Sequence, residues 1–444
     1  MSTGQVHVSR LPQDKPGCGW YETLPAPGSA TELRDQQRAD WAVLGAGIAG
    51  LAAARRLATL NPGAEVALID AQRIGFGTAG RNSGFMIDLP HALTSESYTD
   101  QEADDRREIA LNRAAIDYMR DIVRTHGIDC DWSEQGKIHA AVEPAGVEAL
   151  AAFRQGLETL GEPCTPMDAS QLAETLGTSF YRDGLHTPGT VLVQPAALMR
   201  GLAETLPDNV TVFEDSPVTD LRPSVNSVTL SGRNGELRAD NLVLTNNAFA
   251  AGMGLLPGRL IPVFTYASMT RVLSAEEQAA LGGDESWGLI PANPMGTTLR
   301  RVRSGRIVVR NSFTYNPDLR ASESAMRRIR RRHEASFRRR FPMLPEVGFE
   351  YTWGGALCLS RNSAPVFGRI APRMFAAICH NGLGLARGTI SGKLIAEYAS
   401  GQDSDLVGQM LRFPRPNRNP PAPILRLGVE GNIKWREWRA GTEL

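Results

Sequence analysis

The sequence predicts an α/β fold organised around a parallel sheet with a nucleotide-binding turn, and three observations predict it. Residues Trp41 to Leu44 make a short apolar strand that breaks into Gly45-Ala46-Gly47-Ile48-Ala49-Gly50 and then into an alanine- and leucine-rich helix. A second apolar run, Glu65 to Ile69, ends in Asp70, twenty positions after Gly50. Far down the chain Gly382-Leu383-Gly384 precedes another helix, and a plain turn there would leave its pairing with the first glycine motif unexplained.

Each part has a physical task. Gly45 lets the chain turn at the strand end, Gly47 lets backbone approach a diphosphate, and Gly50 lets helix pack on strand. The anion then sits on the helix N-terminus, where free N–H groups and the dipole favour negative charge. The Asp70 carboxylate suits a ribose diol and repels a 2′-phosphate, which argues against NADP. A glycine-rich βα turn with no ligand would leave Asp70 unexplained.

At 444 residues the length suggests two or three domains. Acidic and basic residues balance at 48 each, so no overall field recruits nucleic acid, an anionic membrane or a strongly charged substrate. The five cysteines, Cys18, Cys130, Cys164, Cys358 and Cys379, are odd in number and widely spaced, which fits a reduced cytoplasmic chain and no metal site. The opening MSTGQVHVSRLPQDKPG lacks the apolar core of a secretory signal, and no run approaches the length of a membrane span.

In order, residues 1–37 read as a polar extension that orders only by lying on the body, with Trp20-Tyr21 as an apolar anchor. Asp100 to Gly127 is an amphipathic helix, Cys130 to Val142 a strand pair around Gly136, and 145–176 one or two helices. Strands follow at Val210–Phe213, Val218–Leu221, Val228–Leu230 and Asn241–Thr245, then a β-rich block over 256–352 with a hairpin at Ser304-Gly305. Met326 to Phe341 carries eight arginines, but Met326, Ile329, His333 and Phe337 share one face, so a solvated helix face with a core histidine outweighs a nucleic-acid groove. The closing helix is expected from Thr389 to Tyr398, and the Pro- and Arg-rich 406–444 as an arm lying on its own protein.

The loop Gly75, Gly77, Thr78, Ala79, Gly80, Arg81, Asn82, Ser83, Gly84 narrows the cofactor, since a nicotinamide fold needs no second glycine-rich loop there. With it the chain resembles the FAD-dependent amine and amino-acid oxidoreductases of the D-amino-acid oxidase superfamily, most of all the gamma-glutamylputrescine oxidoreductase branch. Trp353-Gly354-Gly355, Pro365 with Gly368, and Gly382 with Gly384 match that family too, whereas Thr78 and Ser83 replace Ala and Gly, Asn246-Asn247 replace small residues, and Leu383 stands where many relatives have histidine.

The resemblance implies a Rossmann-type FAD-binding domain with an interleaved substrate domain built on a largely antiparallel sheet plus helices. Segments 38–95, 188–255 and 353–405 would bind FAD, and 96–187 and 256–352 would cover it. FAD contacts are implied at Gly45, Gly47, Ile48, Ala49, Gly50, Asp70 and Ala71, at Gly77, Thr78, Ala79, Arg81, Asn82 and Ser83, at Val218, and at Gly382, Leu383, Gly384 and Leu385.

The implied reaction is oxidation of the C–N bond of a primary or secondary amine (amino acid, polyamine or gamma-glutamylated amine). It gives an imine that hydrolyses, with oxygen or another acceptor reoxidising the flavin. Tyr266, Trp287, Tyr315 and Trp353 are candidates for the cavity wall, each weighed against ordinary core packing, and Arg310 is a candidate for pairing with a substrate carboxylate, weighed against a plain exposed arginine. FAD is expected to be non-covalent, although Cys358 stands where some sarcosine oxidases attach it. Related oxidases activate oxygen with a lysine beside the flavin, and no lysine lies between Lys137 and Lys393. The rivals are a flavin-binding subunit without its own amine site and an NAD-dependent dehydrogenase.

Overall fold

The computed structural model describes residues 5–90, 102–254 and 256–444. The start of the helix expected from Asp100 and the domain boundary expected at 95 lie outside the described residues.

Two sheets carry the fold. In the first, four parallel pairings set strands Met374–Ile378, Gly235–Leu244, Asp35–Leu44, Val66–Ile69 and Val210–Phe213 side by side. An antiparallel ribbon, Val218–Pro223 with Val228–Gly232, extends it. Where they lie side by side at its centre, Trp41–Leu44, Val66–Ile69, Leu242–Leu244 and Met374–Ile378 are apolar on both faces, as a sheet covered on both sides requires. The strand expected at Trp41 begins six residues earlier, at Asp35, and pairs along its whole length with Gly235–Leu244. Its first half is exposed and polar, so no hydrophobic pattern announces it.

The second sheet has eight strands and is antiparallel except where Trp287–Pro291 runs parallel to Lys137–Ala141. The expected hairpin joins Thr298–Val302 to Arg306–Tyr315 through Gly305 at φ 72°. Phe349–Leu359 pairs with Ile261–Thr270 in this sheet, so the chain leaves it only after Leu359, not at 353. The expected strand pair around Gly136 is a single strand, Lys137–Ala141. Ser133 bridges Leu192 instead, because the positive φ of Gly136 (80°) redirects the chain.

Helix Ile48–Leu60 and helix Gly384–Ala399 pack face to face over the first sheet. Gly388 and Gly392 make the approach possible: a Cβ on Gly388 would stand 2.7 Å from Ile48 Cγ2, and one on Gly392 would overlap the Ala49 carbonyl. The closing helix begins five residues before the expected Thr389. Helix Glu323–Arg340 buries Ile329, His333 and Phe337, as its spacing predicts, but also Arg340. That guanidinium donates to Ser336 Oγ and the Glu443 carbonyl, each at 2.6 Å, and to Tyr181 Oη at 3.1 Å. The arm after 405, for which no secondary structure is predicted from the sequence, is largely helical, Asp405–Leu411 and Ala422–Ala440; Pro423 falls in the first turn, where proline is tolerated.

Candidate active site

The first glycine turn is built as its sequence requires. Gly45 has φ 106°, and Thr245 Oγ1 donates to its carbonyl at 2.8 Å. Gly47 caps helix Ile48–Leu60 with no side chain in the way, leaving the first N–H groups of the helix open to an anion. Asp70 accepts from Ala46 N at 2.7 Å and Gln72 N at 2.9 Å, tying the second strand to the turn. Burial raises its carboxyl to about 6 against those two hydrogen bonds.

The second glycine loop repeats this geometry. Gly75 has φ 82°, and Gly77 caps a short 3-10 turn, Thr78–Gly80. The two turns meet, for a Cβ on Gly47 would lie 3.4 Å from Ala79 Cβ.

A cavity runs between the two turns and the start of the closing helix. Gly45, Gly47, Ile48 and Ala49 line it with Asp70 and Ala71, as do Gly77, Thr78, Ala79 and Asn82, then Val218, then Gly382, Gly384 and Leu385. Gly50 does not line it but lies beneath the turn, where a Cβ would overlap the Gly45 carbonyl. Leu383 is turned away, buried with Ile87 and Ile290 as the residue before the helix. Arg81 and Ser83 line a neighbouring cavity instead.

A flavin dinucleotide fits this wall. The glycine turns present backbone to a diphosphate, and Asn246 Oδ1 and His380 Nδ1, both in the wall, are buried without a hydrogen-bond partner. Burial lowers the His380 imidazole to about 3, so it is neutral at physiological pH. Sequence reasoning missed His380, and also Arg10 and Asp14 of the N-terminal segment, which line the same cavity. Cys358 lines it too, but the adjoining Cys379 thiol and burial raise its thiol well above the usual range. All five cysteines are free.

The second cavity shares Thr78, Asn82, Ala356, Leu357, Gly382 and Gly384 with the first and opens toward the antiparallel sheet. Arg310 lines it. Burial lowers the Arg310 guanidinium to about 10, which leaves it charged at neutral pH, and among the described residues no carboxylate pairs with it. Its aromatic neighbour is Phe313, 4.5 Å from the guanidinium carbon to the ring centroid.

The four aromatic residues expected there are elsewhere. A register shift between Thr265 and Tyr266 gives Thr265 to the cavity and turns Tyr266 into the core, with its hydroxyl 2.8 Å from Thr314 Oγ1. Trp353 lies behind the loop, donating its indole N–H to the Arg81 carbonyl at 3.0 Å. Tyr315 is at the far end of its strand beside helix Ala422–Ala440, and Trp287 is packed among Leu172, Leu176 and Leu289. The wall is made instead by Phe85, Ile87, Ile290 and Leu357 with Thr265 and Thr298. Among the described residues no cluster of side chains could hold a metal ion, and no helix is long and apolar enough to cross a membrane.

A strand, glycine turn and helix shaped for a diphosphate, opening on a second cavity, define a dinucleotide-binding protein with room for a substrate beside the nucleotide. A family profile described as FAD dependent oxidoreductase matches residues 40–398, and the chain belongs to that family. FAD is therefore its cofactor, and the protein is an oxidoreductase.

The chain is 27% identical to the probable oxidoreductase OrdL of Haemophilus influenzae, over 84% of this chain and 86% of that one. It is 24% identical to gamma-glutamylputrescine oxidoreductase of Escherichia coli, over 89% and 92%. Among solved structures, glycine oxidase from Geobacillus kaustophilus superposes with a TM-score of 0.69 at 20% identity, covering 83% of this chain and 96% of that one, a likeness of fold.

Proposed function

We propose that the protein oxidises the C–N bond of a small amine that also carries a carboxylate, such as an amino acid or a gamma-glutamylated amine. One observation carries this reading: Arg310 stands charged in the second cavity, and among the described residues that line it there is no Asp or Glu. A guanidinium half-withdrawn from water without a counter-ion favours an anionic ligand, held in bidentate fashion. A free polyamine, with two cations and no carboxylate, would find no acid among the described residues there.

Bound in the first cavity without a covalent link, FAD supplies a two-electron acceptor for the hydride of the carbon that bears nitrogen. Arg310 orients the substrate through its carboxylate. Phe85, Ile87, Ile290 and Leu357 exclude water and so favour the neutral amine that must lose the hydride. Helix Gly384–Ala399 opens at the wall between the two cavities, and its free N–H groups favour negative charge there. Lys137 donates to Thr187 Oγ1 and Lys393 to Glu397, each within its own cluster, so oxygen activation by a lysine has no support.

The test is anaerobic mixing of the holoprotein with a panel of amino acids, N-substituted amino acids, gamma-glutamylated amines and free polyamines, followed by flavin absorbance. Bleaching by carboxylate-bearing amines and not by polyamines is expected. A yellow protein that no amine bleaches would overturn the proposal and favour a flavin-binding subunit.

A further inference from the structure

We propose that Trp20 and Arg300 are positioning residues of the flavin site, and that the N-terminal segment carrying Trp20 is a permanent strap of that site. The inference rests on FAD lying in the first cavity. Four successive carbonyls of the second glycine loop, those of Arg81, Asn82, Ser83 and Gly84, accept hydrogen bonds from side chains of three separate segments. Trp353 Nε1 donates to Arg81 O at 3.0 Å and Trp20 Nε1 to Asn82 O at 2.9 Å. Arg300 Nη1 reaches Ser83 O at 3.3 Å, Gly84 O at 3.2 Å and Val193 O at 2.6 Å.

Arg300 is buried, its guanidinium carbon lies 5.5 Å from the ring centroid of Trp20 and 5.8 Å from that of Phe85, and among the described residues no carboxylate is hydrogen-bonded to it. A charge taken from water with only carbonyl dipoles for partners is costly, and here it fixes the backbone of one loop. That loop matters because Asn82 faces both cavities and Ser83 the second, so its backbone sets one wall against the other.

The strap closes the arrangement from outside. Arg81 pairs with Asp14 at 3.6 Å and donates to the Lys15 carbonyl at 2.6 Å, while Gln194 Nε2 holds the Trp20 carbonyl at 2.6 Å. Arg10 and Asp14 form part of the first cavity's wall. The family match begins at residue 40, so this strap lies outside it.

The experiment uses Trp20→Phe, which keeps the ring and removes the N–H, together with Arg300→Gln and Arg300→Lys. Trp438→Phe, on the exposed face of helix Ala422–Ala440, is the control. FAD is titrated into each apoprotein and the visible circular dichroism of the bound flavin is recorded beside the melting temperature. We expect Trp20→Phe to weaken FAD binding about 5-fold and alter the flavin dichroism. Arg300→Gln should weaken it more, Arg300→Lys should restore part of the loss, and the control should match wild type. FAD affinity and dichroism unchanged in Trp20→Phe and Arg300→Gln would overturn the inference, as would changes in melting temperature alone. Wild-type protein that binds no FAD would instead overturn the assignment of the first cavity.

Discussion

Gly50 lies directly beneath the carbonyl of Gly45, and Gly80 stands in the same relation to Gly75: at either glycine a Cβ would overlap the carbonyl oxygen five residues earlier. The two turns are thus one device used twice, and their helix starts meet at Gly47 and Ala79.

Gly50→Ala and Gly80→Ala should each force a backbone shift at the diphosphate site. The expected outcome is protein that purifies without flavin and is less stable by about 1–3 kcal/mol, read by absorbance at 450 nm and by urea unfolding. Gly428→Ala, where a Cβ meets open space, should retain both properties.

Arg310→Met should remove the carboxylate anchor while leaving FAD bound. For a carboxylate-bearing substrate, kcat/KM should fall about 100-fold, or ~3 kcal/mol, mostly through KM. Steady-state kinetics check this against an ester of the same substrate, which should lose little.

His333 is buried beneath the second sheet with Ser268 Oγ 2.7 Å from its Nδ1, and burial lowers its imidazole to about 3. The unfolded chain protonates this residue near pH 6.5, so between about pH 6.5 and 3 it binds more protons than the folded one. Stability from this group is complete above that window and is lost on acidification, by about 3 kcal/mol at pH 4. The stability gap between wild type and His333→Gln should therefore narrow by about that amount from pH 7 to pH 4, as measured by urea unfolding.

Acid precipitation of the holoprotein should release yellow colour to the supernatant, because the protonated, buried Cys358 thiol is a poor nucleophile. Colour retained in the pellet would show attachment there. Titration with a thiol reagent should modify Cys164, which is half-buried, before the other four.

The glycine turns, Asp70 and the order of strands were legible because each depends on local chemistry: a positive φ, a helix start, an acid at a strand tip. Arg310 was a candidate only through its place on the strand after Gly305; that it lines the second cavity comes from the packing around that strand. The aromatic wall was not legible. Tyr266 follows a register shift, and Ser312 at φ 64° breaks the alternation ahead of Tyr315, so facing could not be counted along either strand. Nor did the chain advertise the glycine row Gly388 and Gly392, whose meaning comes only from the helix packed against it. Arg340 and Arg300 resembled ordinary surface charge because what buries them is distant in sequence. Trp20, expected as an apolar anchor, is 2% exposed, but the partner of its indole N–H could not be read from its neighbours.

The parallel sheet takes Gly235–Leu244, the neighbour of Asp35–Leu44, and then Met374–Ile378 from the later parts of the chain, and helix Ile48–Leu60 is covered by Gly384–Ala399. A ribosome that has synthesised only the first glycine turn has therefore made a phosphate cradle with neither floor nor lid. The cradle is complete only once helix Gly384–Ala399, in the last fifth of the polypeptide, has been made.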